Sequence, residues 1–310
     1  MDAYTRETRV WLDQRFKAVD ESGVYIAHQP IYGFHALHCE PAVVEKYIRT
    51  YQIIKALARL DFNSLLDAGG AEGYRAHIIR DMFGVETRNC DLSEQACRRA
   101  WEIFGVESDV ADIHHLPYGN NSFDVVLCSE SLEHLADFHS GVTELLRVAR
   151  RAVIITVPHE SKEVVDHNIK QGVPHGHIHS FDLGSFDFLA PGDHRIAGRG
   201  MVSPWLRFLS SLLPLRRRER SAKYPKQVFD VYNAAVPFLS AILGEWAAAA
   251  LIRLDERICE MTSRYDAVMF VILKRPGSIR ARNAVAVTAR RIIGYAAPYH
   301  FLENVETQRS

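Results

Sequence analysis

Ser64-Leu-Leu-Asp-Ala-Gly-Gly-Ala-Glu-Gly-Tyr74 decides how the rest of the chain reads. A short apolar run closes on an acid, a Gly-rich turn follows, and Tyr74-Arg-Ala-His-Ile-Ile-Arg80 then has helical apolar spacing. That order describes a strand entering a tight loop and then a helix N-terminus. Open α/β sheets hold nucleotide-like ligands in this way. Asp67 stands at the strand's carboxyl end, and Gly69, Gly70 and Gly73 leave room for a ligand against the main chain.

Outward from this stretch the pattern repeats. The helix Tyr74–Phe83 is followed by a strand, Val85–Cys90, that ends at Asp91, and Ser93 has the place of an N-cap for a helix over Glu94–Phe104. A short strand near Glu107–Val110 leads to Asp112. A fourth covers Phe123–Cys128 and enters Ser129-Glu-Ser-Leu-Glu-His134, from which a helix runs to about Arg150; Ala152–Val157 is the fifth strand, stopped by Pro158. Before the first strand, Pro41 to Leu60 has helical spacing. Strand–helix alternation with continuously apolar strands predicts a doubly wound, mostly parallel sheet covered on both faces.

Composition sets limits. The chain has 310 residues, 47% of them hydrophobic, enough for one large core with appended parts. A net charge of −1 gives no global field for nucleic acid or membrane, although Arg195–Lys226 holds nine Lys/Arg against the single acid Glu219. Five cysteines without a CxxC spacing suit a reducing compartment. Met1–Arg9 lacks the apolar segment of a signal peptide, so a cytoplasmic location is expected.

The boundaries predicted are an N-terminal lid or substrate segment (1–45), a core (46–199), a helical insertion (200–262), a last core strand (263–275) and a basic amphipathic tail (276–310). Within the core, a His-rich loop follows Pro158 (His159, His167, His175, His177, His179), then a helix from near Asp182 and a strand around His194–Gly198.

Two acids at successive strand ends suit a ligand with a diol and no phosphates, and the Lys-Ser/Thr of a P-loop is missing. In order and spacing these residues resemble class I S-adenosylmethionine-dependent methyltransferases of the small-molecule type, near the ubiquinone-pathway O-methyltransferase group. The resemblance covers roughly Lys46 to His159 and the last strand. It implies a seven-stranded Rossmann-like sheet and a cofactor, S-adenosyl-L-methionine, released as S-adenosyl-L-homocysteine. It places the amino-acid end along Asp67, Gly69, Gly70 and Gly73, the ribose hydroxyls at Asp91 and Leu92, and the adenine at Asp112 and Ile113. Ser129 closes the site at the fourth strand. The sequence departs from the family pattern at Ala71, where the middle glycine usually lies, and lacks the Lys-Pro-Gly-Gly turn before the fifth strand.

Glu130, Glu133 and His134 fall at i, i+3 and i+4, so one helical turn would project all three from one face, a donor set for Mg²⁺ or Mn²⁺. The spacing is similar to metal sites of ubiquinone-pathway O-methyltransferases and of small-RNA 3′-terminal 2′-O-methyltransferases. There a later histidine completes the set, a place His179 would take. The same Glu-His-Leu also occurs in metal-free relatives, where it caps a helix or shapes the acceptor pocket. His134, His159 and His179 are candidate general bases, and a transfer driven by alignment alone needs none.

The acceptor is read from the appended parts. Pro204–Leu215 runs into Arg216–Arg220, and Val231–Leu254 is almost uncharged. Neither reaches the run of about 18 apolar residues that spans a bilayer. Two covers fit them: anionic lipid at the inner membrane face, or packing on the core or on a dimer partner. The expectation is methyl transfer to an oxygen, with nitrogen or carbon less favoured, of a small hydrophobic or lipid-linked acceptor. The alternatives are a metal-assisted RNA ribose 2′-O-methyltransferase, against which the neutral charge counts, and a non-catalytic cofactor-binding protein.

Overall fold

The computed structural model describes residues 3–19, 25–32, 43–189, 194–206, 245–274 and 287–295, with isolated helical positions at 227, 231 and 234. Its elements are α1 (Ala3–Arg15), α2 (Val43–Leu57), β1 (Ser64–Ala68), α3 (Tyr74–Phe83), β2 (Glu86–Asp91), α4 (Glu94–Phe104), β3 (Ser108–Val110) and β4 (Phe123–Ser129). After a 3₁₀ turn at Leu132–His134 come α5 (Phe138–Val148), β5 (Ala149–Pro158), α6 (Lys162–Gln171), β6 (Arg195–Met201), α7 (Glu245–Thr262), β7 (Ala267–Leu273) and α8 (Ala289–Ile293).

The strands form one seven-stranded sheet in the order β3-β2-β1-β4-β5-β7-β6. β1 to β5 run parallel and β7 lies antiparallel between β5 and β6. Strand order reverses between β1 and β4, so the loops leaving their carboxyl ends turn to opposite faces and open a crevice. Period-2 alternation splits the core. Leu65, Val125, Leu127 and Ile154 pack on the face with Tyr47, Ile54, Ile78 and Ile252. Leu66, Val126, Cys128 and Ile155 pack on the other, with Val142, Leu145 and Phe186.

The predicted elements are present through the core, with differences that bear on the site. The helix expected directly after Ser129 begins at Phe138, where Asp137 Oδ1 accepts from the amides of His139 and Ser140. Glu130, at φ +58, is left-handed and cannot propagate a helix. The single helical turn presenting Glu130, Glu133 and His134 is therefore absent. The region after Asp182 forms turns instead of a helix. α6 arises inside the expected His-rich loop, with Val165 as its one buried residue. Most of the insertion and tail, including residues 207–226, 235–244 and 296–310, falls outside the described residues, and with it most of the apolar stretch Pro204–Leu215. Among the described residues no helix is long and apolar enough to cross a membrane.

Candidate functional site

The crevice at the reversal point contains a cleft lined by Gly69 and Ala71 from the Gly-rich loop, Asp91 and Leu92 from the end of β2, and Asp112 and Ile113 beyond β3. Leu92 and Ile113 supply apolar surface beside the two acids, which fits a flat base and a diol. Six of the nine residues expected at a cofactor thus have the same neighbourhood or lie beside it: Gly69, Asp91, Leu92, Asp112 and Ile113 line the cleft, and Ser129 lines a polar cavity of about 270 Å³ beyond the loop. The Ser129 hydroxyl is engaged with Thr156 Oγ1 at 2.7 Å. Asp67, Gly70 and Gly73 line neither cavity. A Cβ on Gly70 would lie 1.9 Å from Asn89 Oδ1, and one on Gly73 would lie 2.9 Å from Ala100 Cβ, so both glycines serve close packing under the loop.

Charge is concentrated beneath this loop. Asp91 is buried, and its oxygens accept from the amides of Ala71 (3.0 Å) and Ser93 (2.9 Å), so the loop and the start of α4 hang on one carboxylate. Burial pushes Asp91 up to about 6 despite these donors. Asp67 is fully buried, and neither oxygen has a hydrogen bond among the described residues. Burial raises it to about 6, against the nearby Arg75 charge. At Asp112 burial is outweighed by the ring and amide of His114, at 2.7 and 2.9 Å on Oδ1, which hold it below the usual range. Ala71 fills the place of a glycine at φ +48, a strained conformation for alanine.

The N-terminal segment closes the cleft from above. Tyr4, Thr5, Thr8, Leu12 and Phe16 line it together with His28. Asp13 Oδ1 accepts from Ser93 Oγ at 2.6 Å, anchoring α1 to the N-terminus of α4. Buried Glu72, inside the Gly-rich loop, accepts from Tyr25 OH (2.9 Å) and the His28 amide (2.5 Å). Gln29 Oε1 accepts the Tyr74 amide at 3.0 Å, covering an orphan donor at the start of α3. Sequence reading expected a covering segment over residues 1–45 with Tyr25 and His28 in it, but not the α1 residues, because α1 carries Thr5 and Thr8 on its covering face. These small polar residues give little apolar period.

Of the histidines and acids expected at a metal or as a base, His179, His159 and Glu130 turn elsewhere. His179 Nε2 donates to the Leu135 carbonyl at 2.6 Å, and His159 Nδ1 donates to the Phe181 carbonyl at 2.6 Å. Both rings hold the loop after β5 together, and neither lines a cavity described above. Glu130 turns to Arg49 (3.1 Å) and Thr156. Glu133, His134 and His177 remain together, with one donor atom of each within 4.8 Å of the others. His134 Nδ1 donates to the Gly176 carbonyl at 3.3 Å, leaving Nε2 toward Glu133, while His177 Nδ1 lies 2.9 Å from Glu160. Burial, then the Glu130 charge, pushes Glu133 well up; burial and the neighbouring His175 and His177 push His134 well down. One carboxylate and two imidazoles, with Glu133 Oε2 buried and unpartnered among the described residues, fit a divalent ion. His177 was visible in the sequence two residues before His179; spacing alone does not separate them.

The family model described as a methyltransferase domain matches residues 66–157. Norajmaline N-methyltransferase of Rauvolfia serpentina is 31% identical over 102 residues, covering 30% of this chain and 35% of that protein. Tocopherol O-methyltransferase of Arabidopsis thaliana is 27% identical over 129 residues, 38% of this chain and 37% of that one. The chain therefore spans little more than a third of the length of these relatives. Among solved structures, geranyl diphosphate C-methyltransferase from Streptomyces coelicolor A3(2) aligns over 88% of this chain and 97% of that one, with 15% identity and a TM-score of 0.46.

Proposed function

We propose, from a chain whose residues 66–157 match the model of a methyltransferase domain, that the protein is a class I S-adenosylmethionine-dependent methyltransferase that transfers a methyl group to an oxygen of a small, apolar acceptor. The observation that carries this reading is the meeting of Asp91, Asp112 and the Gly69–Ala71 main chain in one cleft at the reversal point of the sheet. When bound, S-adenosylmethionine supplies an electrophilic methyl group on a sulfonium centre. The chain's own groups do the rest. Asp91 has lone pairs beyond those taken by the Ala71 and Ser93 amides and can accept from a ribose diol. Leu92 and Ile113 flank the base. Buried Asp67 acts through its charge and through Arg75, which lines the polar cavity. His134 is held neutral by its burial and lines both cavities, so it can orient an acceptor hydroxyl. Nitrogen and carbon acceptors, an acceptor attached to lipid at the inner membrane face, and a homodimer belong to the same reading as secondary forms.

Calorimetric titration is expected to show S-adenosylmethionine binding at one site per chain, with S-adenosylhomocysteine competing for it. Absence of binding by both would remove the reading.

The Glu133, His134 and His177 cluster supports a metal-assisted form of the reaction: these three would hold a divalent ion, which would offset the carboxylate's burial and supply Lewis acidity to an acceptor oxygen. Replacing His177 by Ala should weaken Mn²⁺ binding, followed by electron paramagnetic resonance, about tenfold or more, since even groups that only support a metal ligand cost that much. His179→Ala should leave it unchanged. Equal effects of the two variants, or no Mn²⁺ binding, would leave a metal-independent transfer.

A further inference from the structure

Asp91 and Asp112 both line the cleft but are held in different ways. Asp91 gives one oxygen to the Gly-rich loop and the other to the start of α4. Asp112 directs a single oxygen at a single residue: its Oδ1 accepts the amide of His114 at 2.9 Å and engages the His114 ring at 2.7 Å. Its carbonyl accepts the His115 amide at 2.9 Å. A side-chain turn and a main-chain turn thus coincide just beyond β3.

The ring contact has a defined sense. The Asp137 amide donates to His114 Nε2 at 3.4 Å, so that nitrogen carries no hydrogen. Nδ1 carries it and donates to the carboxylate. Asp137 is also the N-cap of α5. His114 therefore joins the acid beyond β3 to the start of the helix that follows β4.

Two donors on Oδ1 occupy that oxygen and leave Oδ2 to a ligand. The side chains of Asp112 and His114 are only 20% and 13% exposed, and both line the cleft, so a ligand there meets a fixed carboxylate with little competition from water. An ionised carboxylate only accepts. A ring that turns an N–H toward it is matched. A ring that turns a carbonyl toward it sets two acceptors against each other, and a site built for a donor rejects such a ligand strongly. Without the imidazole the carboxylate would be held by one amide alone, and Oδ1 would regain a lone pair for water.

We propose that His114 is a positioning residue for cofactor selection: by fixing Asp112 through Nδ1, it makes the cleft prefer a purine with an exocyclic amino group to one with an oxo group at that place. The proposal rests on the reading that the base of S-adenosylmethionine lies at Asp112 and Ile113. It goes beyond that reading by assigning the discrimination to a side chain that the base need not touch.

The test titrates the full chain calorimetrically with S-adenosylhomocysteine and with its 6-oxo analogue, S-inosylhomocysteine. The parent should bind the amino form at least about tenfold more tightly. His114→Phe keeps a ring and removes the donor, whereas His114→Ala removes both. Each should shrink the preference by about threefold or more, the net worth of one hydrogen bond. His114→Asn, whose side-chain amide can donate from the place of Nδ1, should return it to within about twofold of the parent. If one of the two loss variants does not fold, the other carries the comparison. A preference that survives loss of the ring, even with both ligands weakened alike, would make His114 a support of the fold and overturn the proposal. So would a His114→Asn protein that behaves as His114→Ala does. A parent that binds the two ligands equally would overturn the proposal and leave the methyltransferase reading standing; a parent that binds neither would remove both.

Discussion

Replacement of Asp91 by Ala is expected to cost about 1.5–3 kcal/mol of cofactor binding, roughly tenfold to a hundredfold in affinity. Two losses combine. The ribose hydroxyls lose a charged acceptor, and the amides of Ala71 and Ser93 lose the oxygens that fix the loop and the start of α4. Asp91→Asn separates them, because its amide keeps one acceptor oxygen but loses the charge. Thermal unfolding of the ligand-free variants reports the loop, and calorimetric titration reports the cofactor. An Asp91→Ala protein that binds S-adenosylmethionine as the parent does would place the ribose elsewhere.

The same carboxylate makes binding depend on pH. Burial pushes Asp91 and Asp67 up to about 6 from the ordinary value of 3.8. Each folded value is raised, so ionisation of these groups works against the fold above about pH 6. Their unfavourable contribution is relieved as pH falls from 6 toward 4. Hydroxyl donors from a ribose reverse the preference at Asp91 by favouring the carboxylate. Binding should therefore release protons near pH 6, and affinity should decline as pH falls below that point. Calorimetry at pH 6 in two buffers of different ionisation enthalpy measures the release; identical heats would contradict it.

Much of this was legible before any coordinates. Continuous apolar strands closing on Asp67, Asp91 and Asp112 carry their own period and terminators, and local physics is enough to order them. The residues that line the cleft follow because strand ends at a reversal point converge whatever lies above them. The groups above the cleft did not follow. Glu130 broke the expected helix by its left-handed backbone, and Asp137 restarted it, so Glu130 turned to Arg49 while Glu133 and His134 stayed together. His179 and His159 went to backbone carbonyls, whereas His175 and His177, equally prominent in the sequence, reached the cavities. Which histidine of a cluster turns inward depends on contacts with α1 and the 3₁₀ turn, and those are distant in sequence. Ala71 shows the converse: a departure from the usual glycine kept its left-handed angle because its amide is held by Asp91.

The clasp between the N-terminal segment and the Gly-rich loop turns on a single side chain. Glu72 is fully buried, and its Oε1 receives both the Tyr25 hydroxyl and the His28 amide. Tyr25 is itself fully buried; burial, then the Glu72 charge, pushes its hydroxyl well up, so it stays protonated and donating. The Arg99 guanidinium lies 4.4 Å from the Tyr25 ring centroid, and its Nε donates to the Phe16 carbonyl, joining the segment to α4 as well. Glu72→Ala would orphan one buried donor, the Tyr25 hydroxyl, and one half-buried donor, the His28 amide, so a loss of about 1–3 kcal/mol for the first and less for the second is expected in urea unfolding. Tyr25→Phe alone removes one donor and leaves Glu72 bonded to His28, and should cost less. In the Glu72→Ala background Tyr25→Phe should cost almost nothing further, because the partner is already gone. Additive losses from the two substitutions would show that the clasp does not act as a unit. Since Tyr4, Thr8 and His28 line the cleft, the loosened segment should also release S-adenosylhomocysteine faster. Stopped-flow displacement measures that rate, and an unchanged rate in a destabilised Glu72→Ala protein would mean that the segment covers the cleft without retaining its ligand.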